Sequence, residues 1–353
     1  MTNYDKYQEY FDLYNNYTKT HNLGNKYLEQ GEVVKQTKYY RLMCYKMDSR
    51  LRRNDIKEDD TKTLIIPSIF NSPEIFFLAR NKSFIENLRT AGDIYLIDWL
   101  EVKEPAYSLN DYVDRIIEVM SNFNNINLIG HCIGGNLAIA ANVMIPQKVK
   151  TLTLLTCPWD FLHFFYVKAL HQYLKLDGYI ENLPLVPKIH IQILFFLLFP
   201  DYFNVKLDRF FSLTSEKEQD LAFRIENWLM SGHDLPKATY HQIMQNILSE
   251  NMFESLEWKI NDIIIDPSLI DCPVYIVAAS DDKIVPQSSI LPLQKLLKNS
   301  TLIEVEGGHI SYLINNKLDG FFFTRHCEEI TALLCGSKKP SVSPRGLTTG
   351  SKT

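Results

Sequence analysis

Metal-type cysteine spacing is missing from this chain. Its six cysteines stand at 44, 132, 157, 272, 327 and 335, with no C-x-x-C pair among them. That pattern gives no zinc module and no expected metal site, and it reads as free thiols in a reducing cytoplasm. No nucleotide-binding glycine loop is recognisable. The start, Met1-Thr2-Asn3-Tyr4-Asp5-Lys6, is polar and lacks a signal-peptide core. The most apolar run, Ile189 to Phe199, is broken by His190 and Gln192 and is too short to span a bilayer. It reads as a buried helix. Neither sign of charge dominates: the net charge of −5 over 353 residues weighs against a nucleic-acid partner. No internal repeat is visible.

What the chain does have is one sharply punctuated stretch. The apolar run Ile126 to Ile129 ends at Gly130, and a helical pattern starts at Ile133 and runs through Leu137, Ile139, Ala140 and Val143 to Pro146. Between them stands Gly130-His131-Cys132-Ile133-Gly134. This is the nucleophile-elbow pattern G-x-S-x-G with sulfur in place of the hydroxyl. The glycines have a steric reason. A strand must turn abruptly into a helix, and a side chain at either flank would strike a neighbouring element. The helix start then aims free N–H groups and the positive end of its dipole at the sulfur, which favours a thiolate.

The surrounding periodicity predicts an α/β fold with a mostly parallel sheet flanked by helices. Residues 1–38 read as a polar, Tyr-rich lead-in arm. Strands are expected at Tyr39–Tyr45, Leu64–Pro67, Asp93–Trp99, Lys150–Thr156, Pro273–Ala279 and Thr301–Val305, beside the elbow strand. Helices are expected at Ser83–Thr90, at Leu109–Phe123 with Ser108 or Asn110 as cap, and at Phe321–Leu334. The mixed-charge stretch Lys46–Thr63 reads as a solvated hairpin loop. From Pro158 to Trp258 the strand rhythm stops and apolar-aromatic helical patterns take over. The expected organisation is therefore 39–157 and 259–335 as core, 158–258 as a helical cap, and 336–353 as a disordered tail.

A cysteine nucleophile needs a base and an acid that orients it. In this fold the order along the chain is nucleophile, acid, histidine. Ser280-Asp281-Asp282-Lys283 follows one late strand and Glu306-Gly307-Gly308-His309 follows the next. His309 is the candidate base, and Asp281 and Asp282 both stand as candidate acids. His131 adjoins the nucleophile but points elsewhere at the elbow. His163, His171, His190, His233 and His241 fall in the cap and read as structural; His21 and His326 read as surface residues. Sulfur itself carries information. Transfer from a thioester onto Cys gives another thioester, so the acyl group stays activated for a second acceptor.

Several ordered motifs resemble the polyhydroxyalkanoate synthases, the PhaC family, from about Tyr40 to Leu333. Gly130-His131-Cys132-Ile133-Gly134-Gly135 is similar to that family's lipase-like box. Tyr95-Leu96-Ile97-Asp98-Trp99 is similar to its preceding strand, and Leu109-Asn110-Asp111-Tyr112 to its L-x-D-Y helix start. Thr156-Cys157-Pro158-Trp159-Asp160-Phe161 resembles its entry to the cap. Phe223 to Trp228 and Asp234-Leu235-Pro236 resemble another cap segment. Asp282-Lys283-Ile284-Val285-Pro286 resembles its D-H-I-V-P, and Gly308-His309-Ile310 with Ile314-Asn315 its G-H-I and following I-N. The length resembles the short class III and IV members.

The resemblance implies an α/β-hydrolase fold and a polymerase of (R)-3-hydroxyacyl-CoA, with 3-hydroxybutyryl-CoA as the first expectation and CoA released. It implies Cys132 as the acylated nucleophile, His309 as the base that generates its thiolate, and Asp282, in preference to Asp281, as the aspartate that helps activate the hydroxyl of the incoming 3-hydroxyacyl group. Backbone N–H groups of Ile133 and Phe70 would hold the oxyanion. No cofactor is expected beyond the CoA thioester substrate. Expected partners are the growing polyester chain, a second copy in a homodimer, a PhaE- or PhaR-type subunit, and a polymer granule surface. Lys283, Gln287 and the extra Cys157 depart from the family pattern. A Cys-dependent thioesterase or esterase, and a catalytically degenerate binding subunit, are the alternatives.

Overall fold

The computed structural model describes residues 3–21, 30–47, 62–78, 83–89, 92–175, 178, 180–197 and 202–314. Eight strands form one sheet: β1 Glu32–Gln36, β2 Tyr40–Tyr45, β3 Lys62–Ile66, β4 Asp93–Trp99, β5 Ile126–His131, β6 Val149–Leu155, β7 Val274–Ala279 and β8 Ser300–Val305. Their spatial order is β1-β2-β4-β3-β5-β6-β7-β8. β2 runs antiparallel to both neighbours, and every later pairing is parallel. The expected fold class is the one observed.

Successive side chains on a strand point to opposite faces, and here both faces are covered. Leu64, Ile66, Leu128, Leu154 and Ile276 enter one apolar cluster with Val113, Ile116, Leu137 and Leu293. Ile65, Ile129, Leu155 and Val277 enter the other, with Phe76, Phe84, Ile85, Tyr312 and Leu313. A sheet buried on both sides needs near-continuous apolar strands, as Leu64-Ile65-Ile66 and Leu152 to Leu155 supply.

The helices have local causes. Ser83 caps α2, Phe84–Leu88, by accepting from Glu86 N–H. Ser108, not Asn110, caps α3, Leu109–Met120, in a reciprocal box with Asp111; Asn110 instead accepts from Trp258 Nε1 at 2.8 Å. Between β6 and β7 the chain lays down helices Phe165–Tyr173, Lys188–Leu197, Tyr202–Phe211, Glu216–Leu229 and Lys237–His241. Leu185–Val186 and Leu235–Pro236 pair there as a two-residue ribbon, a strand pair the sequence pattern does not signal.

Two expectations need correction, and one helix was not anticipated. Residues 32–36, assigned to the lead-in, are the edge strand of the main sheet. Val33 and Val34 are both exposed, so no alternation marked this strand. The Lys188–Leu197 helix buries Ile191 but exposes Ile189 and Ile193, so it is amphipathic along the described part and not buried all round. A helix at Gln287–Leu296 follows β7, with Ile290 and Leu293 buried. The expected hairpin loop at 46–63 lies largely outside the described residues, and the expected helix 321–334 and the tail lie wholly outside them.

The amino-terminal helix, α1 Asn3–Thr20, packs on the inserted helices. Tyr10 and Tyr17 cluster with Leu207, Phe210 and Phe223. The Tyr10 ring meets Phe210 edge-on at 4.9 Å, and Tyr17 Oη donates to Asp220 at 2.5 Å. Tyr10→Ala removes a large buried ring, a change worth roughly 3 kcal/mol or more in a packed cluster. Amide exchange should speed up in 3–20 and 202–211 while β5 and β6 keep their protection, because the lost contacts lie outside the sheet.

Candidate active site

The elbow is built by close contact. Cys132 sits between β5 and α4, Ile133–Met144, with φ 53° and ψ −130°. This backbone conformation is costly for a residue with a side chain and persists only where its surroundings impose it. Its N–H donates to Leu155 O at 2.9 Å, which fixes the turn to β6. The glycines make the approach possible. A Cβ on Gly134 would lie 2.4 Å from Pro67 O and 2.5 Å from Ile66 O. One on Gly130 would lie 2.5 Å from Gly135 Cα, and one on Gly135 2.6 Å from Cys157 Sγ. Cys157 is therefore packed under the first turn of α4. Burial, and then the neighbouring Cys132, push its thiol well up from the ordinary value.

His309 and Asp282 meet at the end of the sheet that carries Cys132. Asp282 follows β7 and His309 follows β8, and the two loops are tied by Asp281 N–H to Gly307 O at 2.9 Å. Gly307 adopts φ 106°, and Gly308 N–H donates to Ser311 Oγ at 2.8 Å. His309 Nδ1 lies 2.8 Å from Asp282 Oδ2. Asp282 Oδ1 accepts from the Ile284 and Val285 N–H groups, each at 2.8 Å. Both carboxylate oxygens are thus held. Asp281 points outward and pairs with Lys283 at 2.6 Å. The Cys132 side chain stands close enough to the same imidazole to act on its charge.

The electrostatics of His309 follow from this packing. Burial opposes its protonation, but the Asp282 carboxylate and then the neighbouring Cys132 outweigh it and raise the imidazole to about 10. An imidazole that holds its proton this firmly is a strong base toward an adjacent thiol. His131 lies behind it, with ring centroids 5.5 Å apart, and packs edge-on against Phe76 at 5.7 Å. Among the described residues, neither ring nitrogen of His131 has a hydrogen-bond partner. Burial, then His309, keeps its pKa well below the ordinary value, so His131 is a neutral wall of the site.

Ile133 N–H opens α4, where the first amides have no intrahelical acceptor. Phe70 N–H donates to Ser68 Oγ at 3.3 Å, so it must leave or share that weak bond to serve an oxyanion. Sequence reasoning missed what holds this loop. Trp228 Nε1 donates to Ser72 O at 2.8 Å, and Gly232 lies against Phe70 O, 2.0 Å from where its Cβ would stand. Asn71 and Trp228 carry no motif that would have linked them. Among the described residues, no group of three His, Cys, Asp or Glu could hold a metal ion, and no helix is long and apolar enough to cross a membrane.

This sheet order, a Cys at the strand-to-helix turn, and acid and histidine loops after β7 and β8 define an α/β-hydrolase fold. The chain belongs to the family described as "Alpha/beta hydrolase domain containing 18", which matches residues 95–322. It is similar to the poly(3-hydroxyalkanoate) polymerase subunit PhaC of Haloferax mediterranei, 26% identical over 307 residues, covering 82% of this chain and 61% of that one. The corresponding subunit of Thiocystis violacea is 25% identical over 317 residues, covering 82% and 86%. The chain thus spans less than two thirds of the haloarchaeal subunit and most of the Thiocystis one. Among solved structures, a monoacylglycerol lipase of Paleococcus ferrophilus superposes with a TM-score of 0.54 at 17% identity, covering 85% of this chain and 99% of that one. That likeness concerns the fold alone.

The raised His309 value has a stability consequence. The unfolded imidazole titrates near 6.5, so the folded state binds the proton more tightly between about 6.5 and about 10. The stabilisation is complete below about pH 6.5 and is lost as pH rises through about 10. The urea midpoint should therefore fall between about pH 7 and pH 10, and the fall should be shallower in His309→Gln.

Proposed function

We propose that this protein is a polyhydroxyalkanoate synthase-like acyltransferase that works through an acyl-Cys132 intermediate. The observation that carries this reading is the thiol–imidazole–carboxylate chain Cys132–His309–Asp282, with its 2.8 Å acid–base contact, in a chain similar to PhaC polymerase subunits. The donor is a 3-hydroxyacyl-CoA, with 3-hydroxybutyryl-CoA as the first candidate, and the acceptor is the hydroxyl end of a growing polyester.

In the Cys132–His309 pair the proton rests on the imidazole, and the sulfur attacks the thioester carbonyl as a thiolate. Ile133 N–H, with Phe70 N–H once it is released from Ser68, holds the tetrahedral oxyanion. Collapse breaks the bond to the CoA sulfur, which leaves with the proton carried by His309. The acyl group now sits on Cys132 as a second thioester of similar reactivity. His309 next takes the proton of the chain-end hydroxyl, whose oxygen attacks the acyl-Cys132. The new ester bond lengthens the polymer by one unit and returns the Cys132 thiolate. Asp282 keeps His309 in one orientation and balances its positive charge in both halves.

The inserted helices over this face shield the acyl-enzyme from water. The same reading places the protein in the cytoplasm at a polymer granule, as a homodimer or beside a PhaE- or PhaR-type subunit. The division into a core that begins with β1 and an inserted cap at 158–258 belongs to it as well.

Brief mixing with 3-hydroxybutyryl-CoA should give an acyl adduct by mass spectrometry that is absent in Cys132→Ala. Asp282→Asn should keep the fold by circular dichroism yet slow CoA release by roughly 10²- to 10⁴-fold. Equal amounts of CoA and free 3-hydroxybutyrate without polymer would instead identify a thioesterase. No adduct on the wild-type protein would overturn acyl transfer altogether.

A further inference from the structure

The loop that leads away from β3 is held at its two ends by different layers of the molecule. Its start belongs to the core: Pro67 O lies against Gly134 and accepts from Trp99 Nε1 at 3.3 Å. Its far side is bound to the end of the inserted helix Glu216–Leu229. Trp228 Nε1 donates to Ser72 O at 2.8 Å. Asn71 Nδ2 donates to Trp228 O and Leu229 O at 3.2 and 3.3 Å. Ser72 N–H donates to Ser231 Oγ at 3.0 Å, and Ser231 Oγ donates back to Trp228 O at 2.5 Å. Gly232, at φ 99°, presses on Phe70 O so closely that no side chain fits. These contacts flank Phe70, the residue whose N–H faces the reaction under the acyl-transfer reading.

We propose that Trp228 is a positioning residue: its indole N–H and its carbonyl fix Asn71 and Ser72, and through them the placement of the Phe70 N–H as an oxyanion donor. This deepens the acyl-transfer reading and rests on it. The physical reason is leverage. An oxyanion donor acts only when fixed within a few tenths of an ångström of the developing charge. Within the loop, Phe70 N–H also meets Ser68 Oγ at 3.3 Å, a long contact. Four hydrogen bonds joining 71–72 to 228–231 are stiffer. Trp228 is 5% exposed, so its indole N–H makes this bond away from competing water. The helix end and the loop consequently move as one body. A shift of Glu216–Leu229 carries Phe70 with it, and the donor is in place only when the helix is seated.

The test separates two reactions of the same sulfur. Iodoacetamide alkylates the Cys132 thiolate by displacement of iodide, with no oxyanion to stabilise. Acylation by 3-hydroxybutyryl-CoA forms one. Trp228→Phe keeps the ring and loses the N–H. The expected result is an alkylation rate within about twofold of wild type and acylation slowed by roughly 10-fold or more, below the roughly 10²- to 10³-fold cost of deleting a donor outright. The loss should fall on the maximal acylation rate and not on the substrate concentration that half-saturates it. Ser231→Ala, a milder change at the same lock, should slow acylation selectively too, and the double variant should lose less than the product of the two. Equal acylation by wild type and both variants overturns the proposal. So does a matched loss of alkylation and acylation, which marks a general disturbance. If Trp228→Phe does not fold, Ser231→Ala decides alone by the same two rates. A wild-type protein that is alkylated but never acylated overturns the acyl-transfer reading, and this proposal with it.

Discussion

The close approach of α4 to the end of β3 is the contact on which the rest of the site depends. Gly134 has no room for a methyl group against Ile66 O and Pro67 O. That contact sets how near the helix start can come to the sheet, and so where Cys132 stands. The strained Cys132 backbone, its bond to Leu155 O and the amide of Ile133 all follow from it. Without the contact, the helix would draw back, the turn would relax, and the thiol would leave the reach of His309. Loss of a few tenths of an ångström matters more here than loss of a whole surface ion pair, which is worth at most about 1 kcal/mol.

The acid and the base are placed by a different device. Parallel strands bring their carboxyl ends to one edge of the sheet, so loops after β5, β7 and β8 converge without any sequence proximity. The loops are then stiffened separately. Asp282 spends one oxygen on two backbone amides and offers the other to His309. A carboxylate held by three donors has one orientation, and the imidazole it faces inherits it. His131 completes the enclosure as an uncharged ring, which keeps a second positive charge away from His309.

The core strands and the elbow were legible because they are written in short-range patterns. Gly-x-Cys-x-Gly between an apolar run and a helical period marks one geometry. The runs Leu64–Pro67, Asp93–Trp99 and Thr301–Val305 fall within a residue or two of the strands found. β1 was hidden because an edge strand with both valines exposed shows no alternation. The adjacent Asp281 and Asp282 could not be separated by local chemistry; the family motif favoured Asp282, and it is Asp282 that pairs across to His309. The Trp228–Ser72 lock was invisible for a stronger reason. It joins residues 156 positions apart, and it uses a backbone carbonyl, which leaves no trace in residue type.

The amino-terminal helix changes how the inserted layer can move. Two chain crossings already join that layer to the sheet, one on leaving β6 and one on returning toward β7. Residues 3–20 lie on the inserted helices through Tyr10 and Tyr17, while residues 32–36 are hydrogen-bonded into the opposite edge of the sheet. The polypeptide therefore makes a third mooring, at a site remote from the first two. A displacement of the inserted helices that left α1 behind would have to part Tyr10 from Phe210 and Phe223 and break the Tyr17–Asp220 hydrogen bond.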